Sequence, residues 1–166
     1  MFVCLTIRKG GIRTYNKILV PVDGSRAALK AAGHAITIAK LMHAELEILH
    51  VILETEEDET KKRLLEDKVE ESLTLFSELF GQSYISQIET VCSTQGVTMK
   101  KVIERGDPGP KIVEEAKKQD IELIVMGRRS ETTEQKPLGS ISEYVLKNSK
   151  CPILIVTVTA PDFFEF

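Results

Sequence analysis

Residues 121–126 most constrain the fold, because they are six residues that are apolar except at Glu122 and rich in branched side chains. A short run of this kind is typical of a strand buried on both faces of a parallel sheet. A polar loop beginning at Gly127 follows, and a helix is predicted to begin at Ser140, with Glu143 three residues on. This order gathers backbone N–H groups and the positive end of a helix dipole at one point, which favours an anion such as phosphate.

The rest of the chain repeats the alternation of apolar strands with helices. The predicted strands are residues 17–22, 45–52, 97–104, 121–126 and 153–158. Each is separated from the next by at least one segment of helical periodicity, which is the pattern of right-handed parallel crossover units. The sequence therefore predicts an open α/β fold of three layers, with a five-stranded parallel sheet and helices on both faces.

Helix boundaries are predicted from capping residues and glycines. Ser25 is the expected N-cap of the first helix, and Asp107 caps a later one with Pro108 at its first position. We expect a long amphipathic helix over residues 62–80, ended by Gly81, and a separate short helix over 85–94.

Composition narrows the functional class. The 166 residues favour one domain, and 22 basic against 25 acidic residues, net charge −3, leave no basic stripe for nucleic acid. The three cysteines are odd in number and far apart, which favours a reducing cytoplasm over a disulfide framework. No apolar run approaches the roughly 20 residues that cross a bilayer. A cytoplasmic protein without membrane or nucleic-acid partners is expected.

The candidate site lies where the strands end, because ligands of such sheets bind beyond the carboxyl ends of the strands. Asp23 is placed to accept hydrogen bonds from ribose hydroxyls or to help hold a metal beside phosphates. Val51 is placed to meet an adenine edge through its backbone, and Gly127, without a Cβ, allows close approach of a sugar or phosphate. Gly139, Ser140 and Ser142 would offer N–H and hydroxyl donors to phosphate oxygens.

Structural alternatives remain open for each of these residues. Residues 23–25 are also an ordinary turn with a helix cap, Ser140 and Glu143 form a capping box, and Gly127 can simply end a strand. Sharper motifs are absent: there is no GxxxxGK[ST] loop, no GxGxxG after the first strand and no zinc-type spacing. The three histidines form no triad by spacing.

Five segments together resemble the universal stress protein family: residues 17–25, 106–108, 124–127, 138–146 and 151–156. The resemblance covers residues 15–159, leaving 1–14 as an extension and 160–166 as a tail. It implies an adenine nucleotide alpha-hydrolase-like, Rossmann-like fold and a cytoplasmic homodimer formed through the last strand, from Ile153 to Val158.

One branch of this family binds ATP through a glycine, two residues, a second glycine, nine residues, then glycine and Ser or Thr. Gly127, Gly139 and Ser140 match the two ends of that motif, but Ser130 replaces the second glycine and the segment is one residue short. The resemblance implies a retained site for ATP or AMP, altered at its phosphate end, with Mg²⁺ accompanying the nucleotide near Asp23. The expected binding residues are Pro21, Val22, Asp23, Val51, Met126, Gly127, Arg129, Ser130, Gly139, Ser140, Ile141 and Ser142.

Two functional alternatives stay beside a nucleotide-binding regulatory module in stress response. In the first, the dimer binds no nucleotide and the loop 128–137 is a recognition surface; a loop folded over the site, or Arg129 filling the phosphate position, would support it. In the second, the chain hydrolyses ATP slowly; no general base stands out, so no catalytic residue is assigned. The tail, with Phe163, Phe164 and Phe166, is expected to pack on the partner subunit or across a groove.

Overall fold

The computed structural model describes residues 15–53, 67–128 and 138–164, and only the backbone of 67–80. The elements follow in the order β1 Lys17–Pro21, α1 Arg26–Met42, β2 Glu45–Ile52, α2 Asp67–Gln95, β3 Met99–Arg105, α3 Pro108–Lys118, β4 Leu123–Arg128, α4 Ser140–Asn148 and β5 Ile153–Thr157. The predicted alternation of strands and helices is confirmed. Residues 1–14, part of the predicted helix 62–80 and most of the loop 128–137 lie outside the described residues.

The five strands form one parallel sheet in the order β3-β2-β1-β4-β5. After β3 the chain crosses to the far side of β1, so the strand order reverses between β1 and β4. Helices cover both faces: Ile18 and Val20 pack with α1 and α2, whereas Leu19 and Ile124 pack with α3 and α4. The predicted three-layer α/β fold is confirmed, and its switch point lies at the carboxyl ends of β1 and β4.

Two of the predicted helix caps are confirmed. The Ser25 side chain accepts a hydrogen bond from the Ala28 N–H at 3.2 Å, and Asp107 accepts one from the Gly109 N–H at 3.2 Å, with Pro108 at the start of α3. Each bond satisfies a first-turn donor that the helix itself leaves unpaired. These caps fix where α1 and α3 begin, beside the ends of the strands.

The predicted break at Gly81 is wrong, because α2 runs without interruption from Asp67 to Gln95. A Cβ on Gly81 would lie 2.7 Å from Cδ2 of the buried His50 ring. Glycine at position 81 therefore leaves room for the His50 ring of β2 to pack against α2. Its cost in helix propensity is about 1 kcal/mol relative to alanine. The two expected helices are one.

The capping box predicted at Ser140 is also wrong. Gly139 is the N-cap of α4, no side chain bonds the first turn, and Ser140 is the first helical residue. Glu143 remains in the first turn, where its charge favours the helix dipole. Because glycine has no side-chain acceptor, the N–H groups of residues 140–142 receive no bond from the N-cap.

Four strands differ from prediction by one or two residues at an end; β1 ends at Pro21 rather than at 22. β3 begins at Met99 rather than at 97, since the Val97 N–H still bonds to the last turn of α2, at the Cys92 carbonyl. β4 spans Leu123–Arg128 rather than 121–126, because the Ile121 N–H bonds the end of α3, at Ala116. β5 ends at Thr157. The more polar β3 lies at one edge of the sheet.

The described part of the tail, residues 160–164, packs on α1 of its own chain, and its expected packing on a partner subunit stays a prediction. The Lys30 ammonium donates to the Ala160 carbonyl at 2.6 Å. The His34 ring meets Phe163 edge-on at 4.5 Å between centroids, and Phe164 packs against the core cluster that α1 shares with β1. Phe164 is thus partly covered by apolar side chains of its own chain, whereas Phe163 stays 49% exposed.

Candidate functional site

A cavity of about 380 Å³ opens at the carboxyl ends of β1, β2 and β4, at the switch point of the sheet. Its volume lies within the roughly 300–1,000 Å³ typical of small-molecule sites. Ten of the residues predicted for the site line it: Pro21, Val22, Asp23, Val51, Met126, Gly127, Gly139, Ser140, Ile141 and Ser142. Four separate segments of the chain therefore meet around one hollow.

The two other predicted site residues, Arg129 and Ser130, lie outside the described residues. Five lining residues were not predicted for the site: Ser25, Ala28, Leu49, Pro108 and Ile112. Pro108 and Ile112 bring α3 into the cavity wall. The turn at 106–108 was recognised in the sequence as the start of a helix and as part of the family resemblance, but it was not assigned to the site, although it follows the end of β3 and so faces the same edge of the sheet as the other strand ends.

Asp23 leaves β1 in a tight turn. Its Oδ1 accepts a hydrogen bond from the Ser25 N–H at 3.0 Å, and Gly24 in between has φ +77°. A side chain that bonds the backbone two residues on is an Asx turn, which holds the carboxylate in one orientation. The turn therefore carries both the cap of α1 and the one acidic side chain that lines the described cavity.

The backbone of Val51 faces the cavity. In a parallel strand, the N–H and C=O of one residue point to the same neighbouring strand, and successive residues alternate between neighbours. The Leu49 carbonyl accepts from Val22 on the β1 side at 2.8 Å, and the Ile52 carbonyl accepts from Gly106 on the β3 side at 2.9 Å. Val51 must therefore point its peptide groups toward β1, beyond the point where β1 has ended.

Gly127 is required by the packing of α1 on β4. A Cβ built on it would lie 2.4 Å from the carbonyl carbon of Ala27 and 2.7 Å from the N atom of Ala28. The open alternative that Gly127 ends its strand is wrong, since β4 continues to Arg128 and Gly127 pairs with Val156. The missing Cβ thus admits the backbone of α1, whereas ligand approach was the reason predicted.

The N-terminus of α4 forms one rim of the cavity. Gly139 and Ser140 line the cavity, and Ser142, with 5% of its surface exposed, lies deeper in the wall. First-turn N–H groups and the positive end of the helix dipole suit an anion, and here no N-cap side chain competes for them. Arg128, at the end of β4, is not among the residues that line the described cavity.

Tyr84 of α2 packs against the Asp23 turn without lining the cavity. Its ring fills the space over Gly24, where a Cβ would lie 2.4 Å from the ring atom Cε1. Burial, and the neighbouring charge of Asp23 second, raise the pKa of the Tyr84 phenol to about 12. Tyr84 was not predicted from the sequence; its one signal is that it lies three residues, about one helical turn, after Gly81, which faces His50 of β2.

The described residues contain no group of three or more His, Cys, Asp or Glu side chains placed to hold a metal ion. Within the same residues, no helix has both the length and the apolarity that crossing a membrane requires.

Comparison with known proteins places the chain in a family. A model of the universal stress protein family matches residues 14–157. Universal stress protein MJ0531 from Methanocaldococcus jannaschii is 35% identical over 159 residues, which cover 93% of this chain and 89% of the relative. Universal stress protein YxiE from Bacillus subtilis is 32% identical over 146 residues, which cover 86% of this chain and 99% of the relative.

A solved structure agrees with this assignment. The universal stress protein UspA from Lactobacillus plantarum matches with a TM-score of 0.77 at 27% identity, over 87% of this chain and 99% of that one. The family resemblance predicted from the sequence motifs is confirmed. The chain belongs to the universal stress protein family.

Proposed function

We propose that this chain is a regulatory module of the stress response that binds an adenine nucleotide, ATP or AMP, at the carboxyl ends of its strands. The observation that carries the proposal is the cavity itself, in which the end of β1, the end of β2, β4 and the start of α4 supply the lining. Apolar walls with a few convergent polar groups are the usual character of a small-molecule site.

The adenosine half is supported by the chemistry of three strand ends. The Val51 peptide groups, which point past the end of β1, offer one donor and one acceptor to the edge of an adenine ring. Leu49, Ile112 and Met126 are buried apolar residues around the same space. The Asp23 carboxylate, oriented by its bond to Ser25, accepts hydrogen bonds from ribose hydroxyls.

The phosphate half is supported by the start of α4. Ser140 and Ser142 add hydroxyl groups to first-turn N–H groups that no N-cap side chain bonds, and such helix starts suit phosphate oxygens. A Mg²⁺ ion would be carried chiefly by the phosphates, with Asp23 as the nearest protein carboxylate. Arg129 and Ser130 are proposed to reach the phosphates from the loop.

Related structures support the class of ligand. A universal stress protein solved in complex with cAMP has a TM-score of 0.64 at 21% identity, and an Arabidopsis thaliana member with AMP bound has a TM-score of 0.64 at 19% identity. At these identities the likeness extends to the fold, and the ligands belong to those proteins.

A cytoplasmic homodimer formed through β5 is part of the proposal. β5 is an edge strand, and Ile153, Leu154 and Ile155 are each only half-buried. An apolar edge strand with free backbone groups is a template for pairing with another chain, and a second copy offers the matching strand. Sedimentation of the purified protein would test this, since a monomer at micromolar concentration excludes the dimer.

The test of nucleotide binding is calorimetry with adenosine, AMP and ATP, the last with and without Mg²⁺, on wild type, Asp23→Asn and Asp120→Asn. Both variants remove one carboxylate charge, but Asp120 is exposed in the α3–β4 connection and does not line the cavity. A charge-assisted hydrogen bond corresponds to roughly tenfold or more in affinity. We expect that loss in Asp23→Asn only.

Absence of heat at millimolar nucleotide in wild type would overturn the proposal and favour the dimer without nucleotide. Equal affinities of Asp23→Asn and wild type would remove Asp23 from the site.

A further inference from the structure

Val22, the first residue after β1, is tied to β2 at both of its backbone groups. Its N–H donates to the Leu49 carbonyl at 2.8 Å, which continues the ladder of the sheet by one bond. Its carbonyl oxygen lies 3.0 Å from Nδ1 of His50, the next residue of β2. The His50 side chain therefore supplies the second hydrogen bond, which in a regular ladder would come from a backbone N–H.

Because the His50 side chain takes the place of a backbone donor, the peptide groups of Val51 are left available on the β1 side. In an uninterrupted ladder, the Val22 carbonyl would accept from the Val51 N–H, because successive bonds of a parallel pair are evenly spaced. His50 bonds that carbonyl instead, so β1 turns away after Val22 while its last peptide group stays satisfied. A buried carbonyl without a donor would be unfavourable, and His50 removes that penalty.

The hydrogen-bond partners of the His50 ring indicate which of its two nitrogens carries a hydrogen. A carbonyl oxygen only accepts, so Nδ1 must carry the proton that bonds Val22. The Tyr84 Oη lies 3.0 Å from the same Nδ1 and accepts a share of that N–H, with the two rings edge to face at 5.6 Å. His50 is 5% exposed, and its Nε2 has no hydrogen-bond partner among the described residues.

Tyr84 carries this contact on to the turn. Its ring occupies the space in which Gly24 would have a Cβ, and Gly24 holds a positive φ of +77° that favours glycine. The ring of Tyr84 therefore packs against one face of the Asp23 turn. The ring of His50 is hydrogen-bonded to the carbonyl of Val22, in the peptide that precedes the turn. Both supports come from outside the cavity lining.

We propose that His50 and Tyr84 are positioning residues of the nucleotide site: they hold the Val22–Ser25 turn so that Asp23 faces the ribose and the Val51 peptide edge stays free for adenine. This inference rests on the proposed function. It makes α2 part of the site although that helix lines none of the described cavity, and it gives the β2 histidine a role that its spacing in the sequence does not reveal.

The test compares His50→Leu, His50→Asn and Tyr84→Phe. Asparagine keeps an N–H donor near the position of Nδ1, leucine removes it, and phenylalanine removes only the hydroxyl of Tyr84. We expect the Kd for AMP to rise about tenfold in His50→Leu and about threefold in Tyr84→Phe, the range for losing one hydrogen bond, and to stay within about threefold in His50→Asn. Circular dichroism identifies any variant that fails to fold.

A second measurement needs no ligand. The Ser25 amide bonds the Asp23 carboxylate, so its hydrogen-exchange rate reports whether the turn holds its shape. We expect faster exchange in His50→Leu and Tyr84→Phe than in wild type or His50→Asn. If wild type binds no nucleotide, the proposed function fails and this exchange pattern still decides the positioning. Unchanged exchange and affinity in His50→Leu and Tyr84→Phe, or equal losses in His50→Leu and His50→Asn, would overturn it.

Discussion

Gly127 of β4 and Ala27 of α1 touch through their backbones, since a Cβ on the glycine would lie 2.4 Å from the alanine carbonyl carbon. This contact joins the strand on one side of the switch point to the helix that begins after the strand on the other side. Because backbone cannot rotate away as a side chain does, the contact fixes how closely the two walls of the cavity approach each other.

Gly127→Ala should therefore destabilise the fold as well as the site. The added methyl must push the first turn of α1 from β4, and overpacking of a well-packed region typically costs about 1–3 kcal/mol. Urea denaturation would measure the loss in the free energy of unfolding. Gly139→Ala is the matched control, because a Cβ there meets nothing within 4 Å; we expect a loss of less than about 1 kcal/mol at this N-cap. Equal stability of the two variants would contradict the contact.

The Lys30 ammonium makes the tail a part of the folded domain. The Lys30 side chain is 7% exposed, and its ammonium donates to the Ala160 carbonyl at 2.6 Å and pairs with Asp162 at 3.2 Å. Deletion of residues 160–166 would leave this charge without those partners. The expected extra loss of stability is about 2 kcal/mol, within the range for an unsatisfied buried polar group.

The same deletion in a Lys30→Met background separates this effect from lost apolar contacts. Methionine has no charge to leave unpaired, so the deletion should there cost only the tail's other contacts, which are the packing of Ala160 and Phe164 and the contacts of residues 161 and 163 with His34. The difference between the two deletions, measured by urea denaturation, is the coupling energy of Lys30 with the tail. A difference near zero would show that the ammonium gains nothing from the tail.

Tyr84 predicts a change of stability with pH at alkaline values. Its phenol pKa is about 12 in the folded protein against 10.0 in the unfolded chain, because burial disfavours the phenolate and Asp23 adds repulsion. Between these values the folded state keeps a proton that the unfolded state has lost, so this contribution is complete below pH 10 and falls as pH rises to 12. Thermal melts should show a shallower decline over that window in Tyr84→Phe.

Ultraviolet absorbance gives an independent reading of the same group. The chain has three tyrosines, so the titration of wild type minus that of Tyr84→Phe isolates one phenolate. We expect its midpoint at about pH 12 under conditions where circular dichroism still reports folded protein. A midpoint near 10 would place Tyr84 in water and remove it from beneath the turn.

Much of this architecture follows from local sequence patterns. Apolar runs predicted all five strands, and the side chains of Ser25 and Asp107 predicted two helix starts, because both signals depend on residues that are neighbours in the chain. The residues expected at the ends of β1, β2 and β4 converge for the same reason: a parallel sheet brings its carboxyl ends together. The cavity was thus predictable once the strands were.

Contacts between distant segments account for most of what the sequence did not predict. Gly81 has the local signature of a helix end, yet the helix continues because the His50 ring, 31 positions away, needs the space. The failure at Ser140 differs from this one, because the cap falls one residue earlier, at Gly139, within the same local segment. The tail lies on α1 because Lys30 and His34 provide partners that no pattern within residues 160–166 announces. Sequence periodicity carries no information about such long-range pairs.

Gly81→Ala tests the most instructive of these pairs. Helix propensity alone predicts a gain of about 1 kcal/mol, since alanine replaces glycine inside a helix. The new Cβ would stand 2.7 Å from Cδ2 of His50, whose ring is held by Val22 and Tyr84 and cannot swing aside. We expect a net loss of about 1–2 kcal/mol in urea denaturation, the usual result of overpacking.

Two controls decide whether the His50 ring is the cause. Ser83→Ala, on the exposed side of the same helix, should change stability by less than about 0.5 kcal/mol, as surface substitutions do. The His50→Asn background has no imidazole ring at this position. Gly81→Ala should there raise the free energy of unfolding by the difference in helix propensity between alanine and glycine. If Gly81→Ala stabilises the wild type as much as it stabilises the His50→Asn background, the helix and the histidine do not compete for space.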